Sequence, residues 1–203
     1  MVVEDAIPYP ELKQRINSIT NFEKKAFFCT LYATGARIGE ICGHKKHPNR
    51  KYPTVIKDYT GLTVNNVEEK EMDVIDGKDI VRKPFLVITV ETEKHPNHPF
   101  RAIPINCSEE PWLTEPIKQI IRLRKMQGKT KVFDFTTRWG QILCKDYLGV
   151  HPHLLRHSRA THWVKHFGLD KYVQKLLGHK FLSSTSFYLH LNPSDAAMRM
   201  VFR

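Results

Sequence analysis

The stretch Ala33-Thr34-Gly35-Ala36-Arg37-Ile38-Gly39-Glu40 decides how this chain of 203 residues is read. Upstream of it, residues from about 10 to 34 carry apolar positions at helical spacing, and Asn21 stands where it caps a helix opening on Phe22-Glu23-Lys24-Lys25. Gly35 is the stop, because glycine takes the left-handed conformation that ends a helix without steric cost. A second, short helix then carries Arg37 and, three residues on, Glu40. Taken alone, this pair is an ordinary surface ion pair at i,i+3, and such pairs are worth little.

Downstream, residues 43 to 53 turn to His, Lys, Pro and Asn without periodicity and read as a basic, solvated loop. Short β-rich runs follow: Leu62-Thr63-Val64, Met72-Asp73-Val74-Ile75, Phe85-Leu86-Val87-Ile88-Thr89-Val90 and Phe100-Arg101-Ala102-Ile103-Pro104-Ile105. Asp76-Gly77-Lys78-Asp79 and Lys94-His95-Pro96-Asn97-His98-Pro99 supply turn chemistry between them, so a small antiparallel sheet is expected. Thr114-Glu115-Pro116 then reads as a helix start with capping threonine, early acid and proline in the first turn; Ile117, Ile120, Ile121 and Met126 supply apolar positions for its buried face, and Gly128 ends it. Further helices are expected at about 137 to 147, 153 to 166, 169 to 177 and 182 to 190, with a short last one after Asn192-Pro193-Ser194-Asp195. The fold class is α+β, mostly α-helical with one small antiparallel sheet.

A formal charge of +11 and a pI near 9.5 form the electrostatic footprint of a protein that neutralises phosphates, although ribosomal, RNA-binding and membrane-surface proteins share it. With 41% hydrophobic residues the chain fills one good core. Its start, Met1-Val2-Val3-Glu4-Asp5-Ala6, lacks the basic and apolar stretches of a secretory signal, and no window has about 18 uninterrupted apolar residues. A soluble, cytoplasmic protein is expected. Cys29, Cys42, Cys107 and Cys144 show no short-range pairing and mostly sit beside apolar neighbours, so reduced thiols and no disulfide are expected.

Two later stretches change the weight of Arg37. One is His153-Leu154-Leu155-Arg156-His157-Ser158-Arg159-Ala160-Thr161-His162; the other is Leu176-Leu177-Gly178-His179, with Tyr188 nine residues beyond that histidine. A lone His-x-x-Arg is commonplace among eleven histidines, and Tyr188 alone reads as a core aromatic with its hydroxyl at the rim. Order, spacing and flanks together are a joint signal. Over roughly residues 20 to 191, the chain resembles the catalytic domain of the tyrosine recombinase (phage integrase) family.

The resemblance implies cleavage and rejoining of DNA strands. Phosphodiester cleavage needs a nucleophile, stabilisation of charge on the non-bridging oxygens and a proton for the leaving oxygen. At the matching positions, Tyr188 is the nucleophile that forms a 3′-phosphotyrosine link, and Arg37 and Arg156 clamp the phosphate with planar, permanently charged donor pairs. His153 and His179 donate to the same oxygens, and His153 also stands where it deprotonates the tyrosine. Lys94 takes the place of the hairpin lysine that serves as general acid, although its turn lacks the family's usual glycines and Lys83 and Lys78 occupy competing turns. Glu40 orients Arg37 from behind. Arg159 stands where a bulky apolar residue is usual and is expected to point to solvent or phosphate.

Cys42, His44 and His47, and likewise His95 and His98, are spaced closely enough to be weighed as metal ligands, but neither group has the paired arrangement of a structural zinc site. They read as exposed loop histidines. The resemblance implies no metal and no cofactor; the expected partners are double-stranded DNA and three further copies of the chain on it, with a monomer in solution. Residues 1–20 read as a linker remnant, 21–203 as the catalytic domain and 189–203 as a tail exchanged between protomers, the chain being a catalytic fragment without its N-terminal DNA-clamping domain. The alternatives are a type IB topoisomerase-like relaxing enzyme and a non-catalytic DNA-binding protein on the same fold. A density of Lys and Glu and the mobile-element character point to a prokaryotic or viral source, acting in the nucleoid or in an infected host cell.

Overall fold

In the computed structural model, residues 6–44, 59–76, 78–92, 100–167 and 171–178 are described. Their elements, in chain order, are α1 (Tyr9–Asn17), α2 (Phe22–Thr34), α3 (Ile38–Cys42), β1 (Val67–Asp76), β2 (Asp79–Glu91), β3 (Phe100–Asn106), α4 (Pro111–Met126), α5 (Thr137–Leu148), α6 (Pro152–Phe167) and α7 (Lys171–Leu177). The expected helices at 182 to 190 and after Ser194 fall outside the described residues, as does most of the basic loop after Gly43.

The central element is α2, whose side chains from Ala26 to Thr34 are all buried. A helix that is apolar all round belongs inside a core, surrounded by others. Asn21 caps it by accepting from the Lys24 N–H at 3.1 Å, and Gly35 ends it in the left-handed conformation with φ 54°. Phe27 makes edge-to-face contacts with Phe133 and Phe135 at 5.3 and 5.2 Å between centroids. Leu113, Ile117, Ile120 and Ile121 of α4 and Leu155, Ala160, Trp163 and Val164 of α6 complete the layers around it. Leu12 and Ile16 of α1 are fully buried in the same core, and the Ile7 N–H donates to Ser158 Oγ at 3.0 Å.

The sheet has the order β1-β2-β3, all antiparallel. Period-2 alternation sends Leu86, Ile88 and Val90 of β2 and Ile103 and Ile105 of β3 into the core. Glu91 pairs with Phe100 at the open end of β2 and β3, so residues 93–99 connect two strand ends held in register.

Three local expectations are corrected, the first being that Met126 lies not on the buried face of the fourth helix but exposed at its last position. Leu62-Thr63-Val64 is no strand: Asn66 Oδ1 accepts from both the N–H and the hydroxyl of Thr63, at 3.0 and 2.6 Å. That local capping turns residues 64–66 into a 3₁₀ turn, and the ladder starts at Val67. The fourth helix starts at Pro111, not at Thr114. Pro111 occupies the first turn, where a missing N–H costs nothing, while Pro116 lies inside the helix. The Trp112 carbonyl that Pro116 leaves without its helical donor faces the Cys29 thiol, with Sγ 3.6 Å away.

Cys29, Cys42 and Cys144 are buried, Cys107 is half-buried, and all four are free thiols. Burial pushes the first three thiols up to about 12. Among the described residues, no helix is long and apolar enough to cross a membrane.

Candidate active site

Chain reversal at Gly35 places Arg37 at the N-cap of α3 and Glu40 in its first turn. The carboxylate reaches back: Oε2 accepts from the Arg37 N–H at 2.8 Å and Oε1 from Arg37 Nη1 at 3.0 Å. Glu40 is only 1% exposed. A carboxylate so deep demands more than one partner, and it has one in Arg101, whose Nη2 donates to Oε2 at 2.6 Å. Burial drives the Glu40 carboxyl upward, but Arg101 first, then Arg156 and Arg37, outweigh it and hold the group at about 2.

Arg156, on the first turns of α6, is buried as well. Its Nη1 donates to the Gly35 carbonyl at 2.6 Å and its Nη2 to the Leu177 carbonyl at 2.5 Å. Arg101 Nε takes the preceding carbonyl, Leu176, at 2.7 Å. Two guanidiniums from different elements thus hold consecutive carbonyls at the C-terminus of α7, the end of a helix that attracts cations. Gly178 follows with φ 65°. A Cβ there would lie 2.9 Å from Thr92 Cγ2 and 3.2 Å from Arg101 Nη1, so this position requires glycine for space and for conformation.

The predicted residues are distributed as follows. Arg37, Glu40 and Arg156 come together around Gly35. His153, one turn before Arg156, is exposed, its ring stacked on His151 at 5.4 Å and 22°. Lys94, His179 and Tyr188 lie outside the described residues; Lys94 follows Thr92 by two positions and His179 follows Gly178 directly. Cys42 is buried and His44 stacks on Tyr59 at 5.1 Å, whereas His47, His95 and His98 are outside the described residues.

Sequence reasoning missed Arg101 as part of this cluster. The signal was its phase: Arg101, Ile103 and Ile105 alternate on β3, so an arginine in step with two core isoleucines points inward. The expectation for Arg159 is overturned. It points neither to solvent nor to phosphate but is 4% exposed, forks onto both oxygens of Glu110 at 2.6 Å each, and lies over the rings of Tyr32 and Trp163. Aromatic faces and a bidentate carboxylate satisfy a cation where an apolar side chain was expected.

The model of the phage integrase family matches residues 56–195. The chain belongs to the phage integrase family. A tyrosine recombinase of Thermosipho africanus is 27% identical over 181 residues, covering 86% of this chain and 52% of the relative. Tyrosine recombinase XerA of Pyrococcus horikoshii is 30% identical over 179 residues, covering 88% of this chain and 54% of the relative. This integrase-family chain therefore spans about half the length of those curated relatives. Among solved structures, the XerA recombinase crystal structure superposes with a TM-score of 0.62 at 20% identity, covering 95% of this chain and 62% of that one. The XerH site-specific recombinase bound to its difH substrate gives 0.60 at 14% identity, covering 92% and 50%. The integrase fold is thus shared, and the α+β class expected of the sequence is the one found.

Proposed function

We propose that this chain is a site-specific DNA recombinase that cleaves and rejoins strands through a 3′-phosphotyrosine link on Tyr188. The observation that carries the reading is the convergence of Arg37 and Arg156 on Gly35, with Glu40 fixing the first and the C-terminal end of α7 tied to the second. Family membership supports it, as do relatives named tyrosine recombinases and a superposable neighbour bound to its DNA substrate.

In this reading, the Tyr188 oxygen attacks the scissile phosphorus and forms an O–P bond as the bond to the 5′-oxygen breaks. The tyrosine proton passes to a base, the role of His153, and the leaving 5′-oxygen takes a proton from Lys94. Arg37 and Arg156, with His153 and His179, face the charge that develops on the non-bridging oxygens. Each Nη of a guanidinium carries two hydrogens, so holding a backbone carbonyl and facing a phosphate oxygen are compatible. Because the covalent link conserves the energy of the broken bond, an incoming 5′-hydroxyl reverses the step without ATP, and guanidiniums meet the phosphate charge without a metal ion. The partners are double-stranded DNA, favoured by the +11 charge, and further copies of the chain, four on two duplexes.

The test uses the 203-residue chain and a nicked suicide duplex recovered from a random-sequence pool, resolved on a denaturing gel with and without EDTA. A covalent DNA–protein band that survives EDTA and vanishes in Tyr188→Phe is expected. Tight DNA binding with no band overturns the reading.

A further inference from the structure

We propose that Arg101 is a positioning residue of the reaction centre, a single guanidinium that fixes Arg37, the base of the β2–β3 connection and the end of α7 relative to one another. The inference rests on the recombinase reading and deepens it, since none of the six expected site residues includes Arg101. It acts through others, being 9% exposed.

Its three nitrogens serve three segments. Nη2 meets Glu40 Oε2 at 2.6 Å while the other Glu40 oxygen holds Arg37 Nη1 at 3.0 Å, so the two arginines share one carboxylate. Nη1 donates to Thr92 Oγ1 at 3.0 Å, two residues before Lys94. Nε donates to the Leu176 carbonyl at 2.7 Å, beside the Leu177 carbonyl that Arg156 holds and three residues before His179. Gly178 makes room for the clasp, as its missing Cβ faces Arg101 Nη1 and Cδ at 3.2 and 3.4 Å. Lysine, with one nitrogen and no planar fork, cannot span the three.

The shared carboxylate has an electrostatic consequence. With Arg101 present, the guanidiniums of Arg101, Arg156 and Arg37 all act on the Glu40 carboxylate, and the clamp arginines keep a net positive charge for a phosphate. Without Arg101, the Glu40 charge falls more heavily on Arg37 and Arg156, the two clamp arginines, and a buried carboxylate with its strongest partner removed stands beside the developing phosphate charge. Removing that carboxylate as well restores the charge balance at Arg37. A role confined to holding the fold together predicts recovery of the thermal midpoint alone, as removal of any stranded buried carboxylate does, and no recovery of the cleavage rate of the folded protein.

The experiment measures single-turnover cleavage of the selected suicide duplex, DNA affinity and the thermal midpoint, for wild type, Arg101→Ala, Arg101→Lys and Arg101→Ala with Glu40→Gln. Arg101→Ala is expected to slow cleavage by about 10- to 100-fold, the scale of an ångström-level misplacement, with little change in DNA affinity. Arg101→Lys is expected to fall between it and wild type, and the double variant to cleave faster than Arg101→Ala. Wild-type cleavage in Arg101→Ala overturns the proposal, as does a double variant slower than the single one. Should Arg101→Ala fail to fold, Arg101→Lys decides: reduced cleavage in a folded protein supports the assignment, and a wild-type rate overturns it. A wild-type protein that forms no Tyr188-dependent adduct defeats the recombinase reading first and this inference with it, an outcome distinct from a normal wild-type adduct and an unimpaired Arg101→Ala.

Discussion

Arg156 Nη1 lies 2.6 Å from the carbonyl oxygen of Gly35, a residue 121 positions away in the sequence. Gly35 ends α2, and two residues later Arg37 caps α3. The second arginine of the expected phosphate clamp is thus tied to the turn that carries the first, and its other Nη is tied to the end of α7. Packing tightens the same junction, since a Cβ on Gly35 would lie 3.1 Å from Leu177 Cδ2.

Arg156→Lys keeps the charge but offers one nitrogen to two carbonyls that face it from different elements. One buried carbonyl then loses a charge-assisted donor, which costs about 1.5–3 kcal/mol. A fall of that size in unfolding free energy, from urea titration at pH 7, is the expected result, together with loss of DNA cleavage. Unchanged stability would show that the junction does not depend on the fork.

Acid should unfold this protein in two separable windows. His162, whose Nδ1 lies 2.6 Å from the Tyr32 hydroxyl oxygen, is held down at about 4 by burial first and by the Arg159 charge, against an ordinary 6.5. Glu40 is held at about 2 against 4.5. Both are depressed, so each contribution is complete above the unfolded value and is lost as pH falls toward the folded one: from 6.5 to 4 for His162 and from 4.5 to 2 for Glu40. The Glu40 shift corresponds to a loss on the order of 3 kcal/mol. Urea midpoints measured from pH 7 to pH 3 should flatten in the upper window for His162→Gln and in the lower one for Glu40→Gln. Parallel curves for variant and wild type would refute the assignment.

How much of this was legible depends on whether a residue's partners are local. The cap at Asn21, the stop at Gly35 and the strand runs of β2 and β3 are written in adjacent residues, and all appear where expected. The pairing of Arg37 with Glu40 was legible for the same reason. Arg159 was misread because its carboxylate, Glu110, is 49 positions away and nothing near either residue announces the pair. Arg101 meets Glu40 across 61 positions, and only its phase with Ile103 and Ile105 betrays it. The start of α4 was misplaced because Thr-Glu-Pro satisfies every local rule for a helix start, while the helix opens one turn earlier on Pro111, which meets only the proline rule, with no side-chain cap and no acid in the first turn.

Glu110 and Arg159 should behave as a unit. Burial raises the Glu110 carboxyl and Arg159 more than offsets it, leaving the group below its ordinary value. Arg159→Leu strands that carboxylate and should cost about 3–5 kcal/mol. Adding Glu110→Gln removes the stranded charge, so the double variant should be more stable than Arg159→Leu alone. Additive losses across the double-mutant cycle, followed by chemical denaturation, would mean that the two side chains stabilise the fold independently.

Gly140 sets how closely α5 approaches α3 and α2. A Cβ there would lie 2.7 Å from Ile38 Cδ1 and 3.0 Å from Phe27 Cζ. Alanine is the better helix former by about 1 kcal/mol, but overpacking a filled core costs about 1–3 kcal/mol. Phe27 is fully buried against Phe28, Phe133 and Phe135, so its ring cannot give way freely and the steric term should win. Gly140→Ala is therefore expected to lower the thermal midpoint. Ile38→Val removes the Cδ1 methyl that makes the shortest contact, and in the Gly140→Ala background it should recover part of the loss, although in the wild-type background it only removes buried surface. A reversal of sign for Ile38→Val between the two backgrounds is the signature of the clash. The same small loss in both would place the effect of Gly140→Ala elsewhere than at α3. Because α3 carries Glu40 and is capped by Arg37, the clash should also slow cleavage in Gly140→Ala, and Ile38→Val should restore rate and midpoint together.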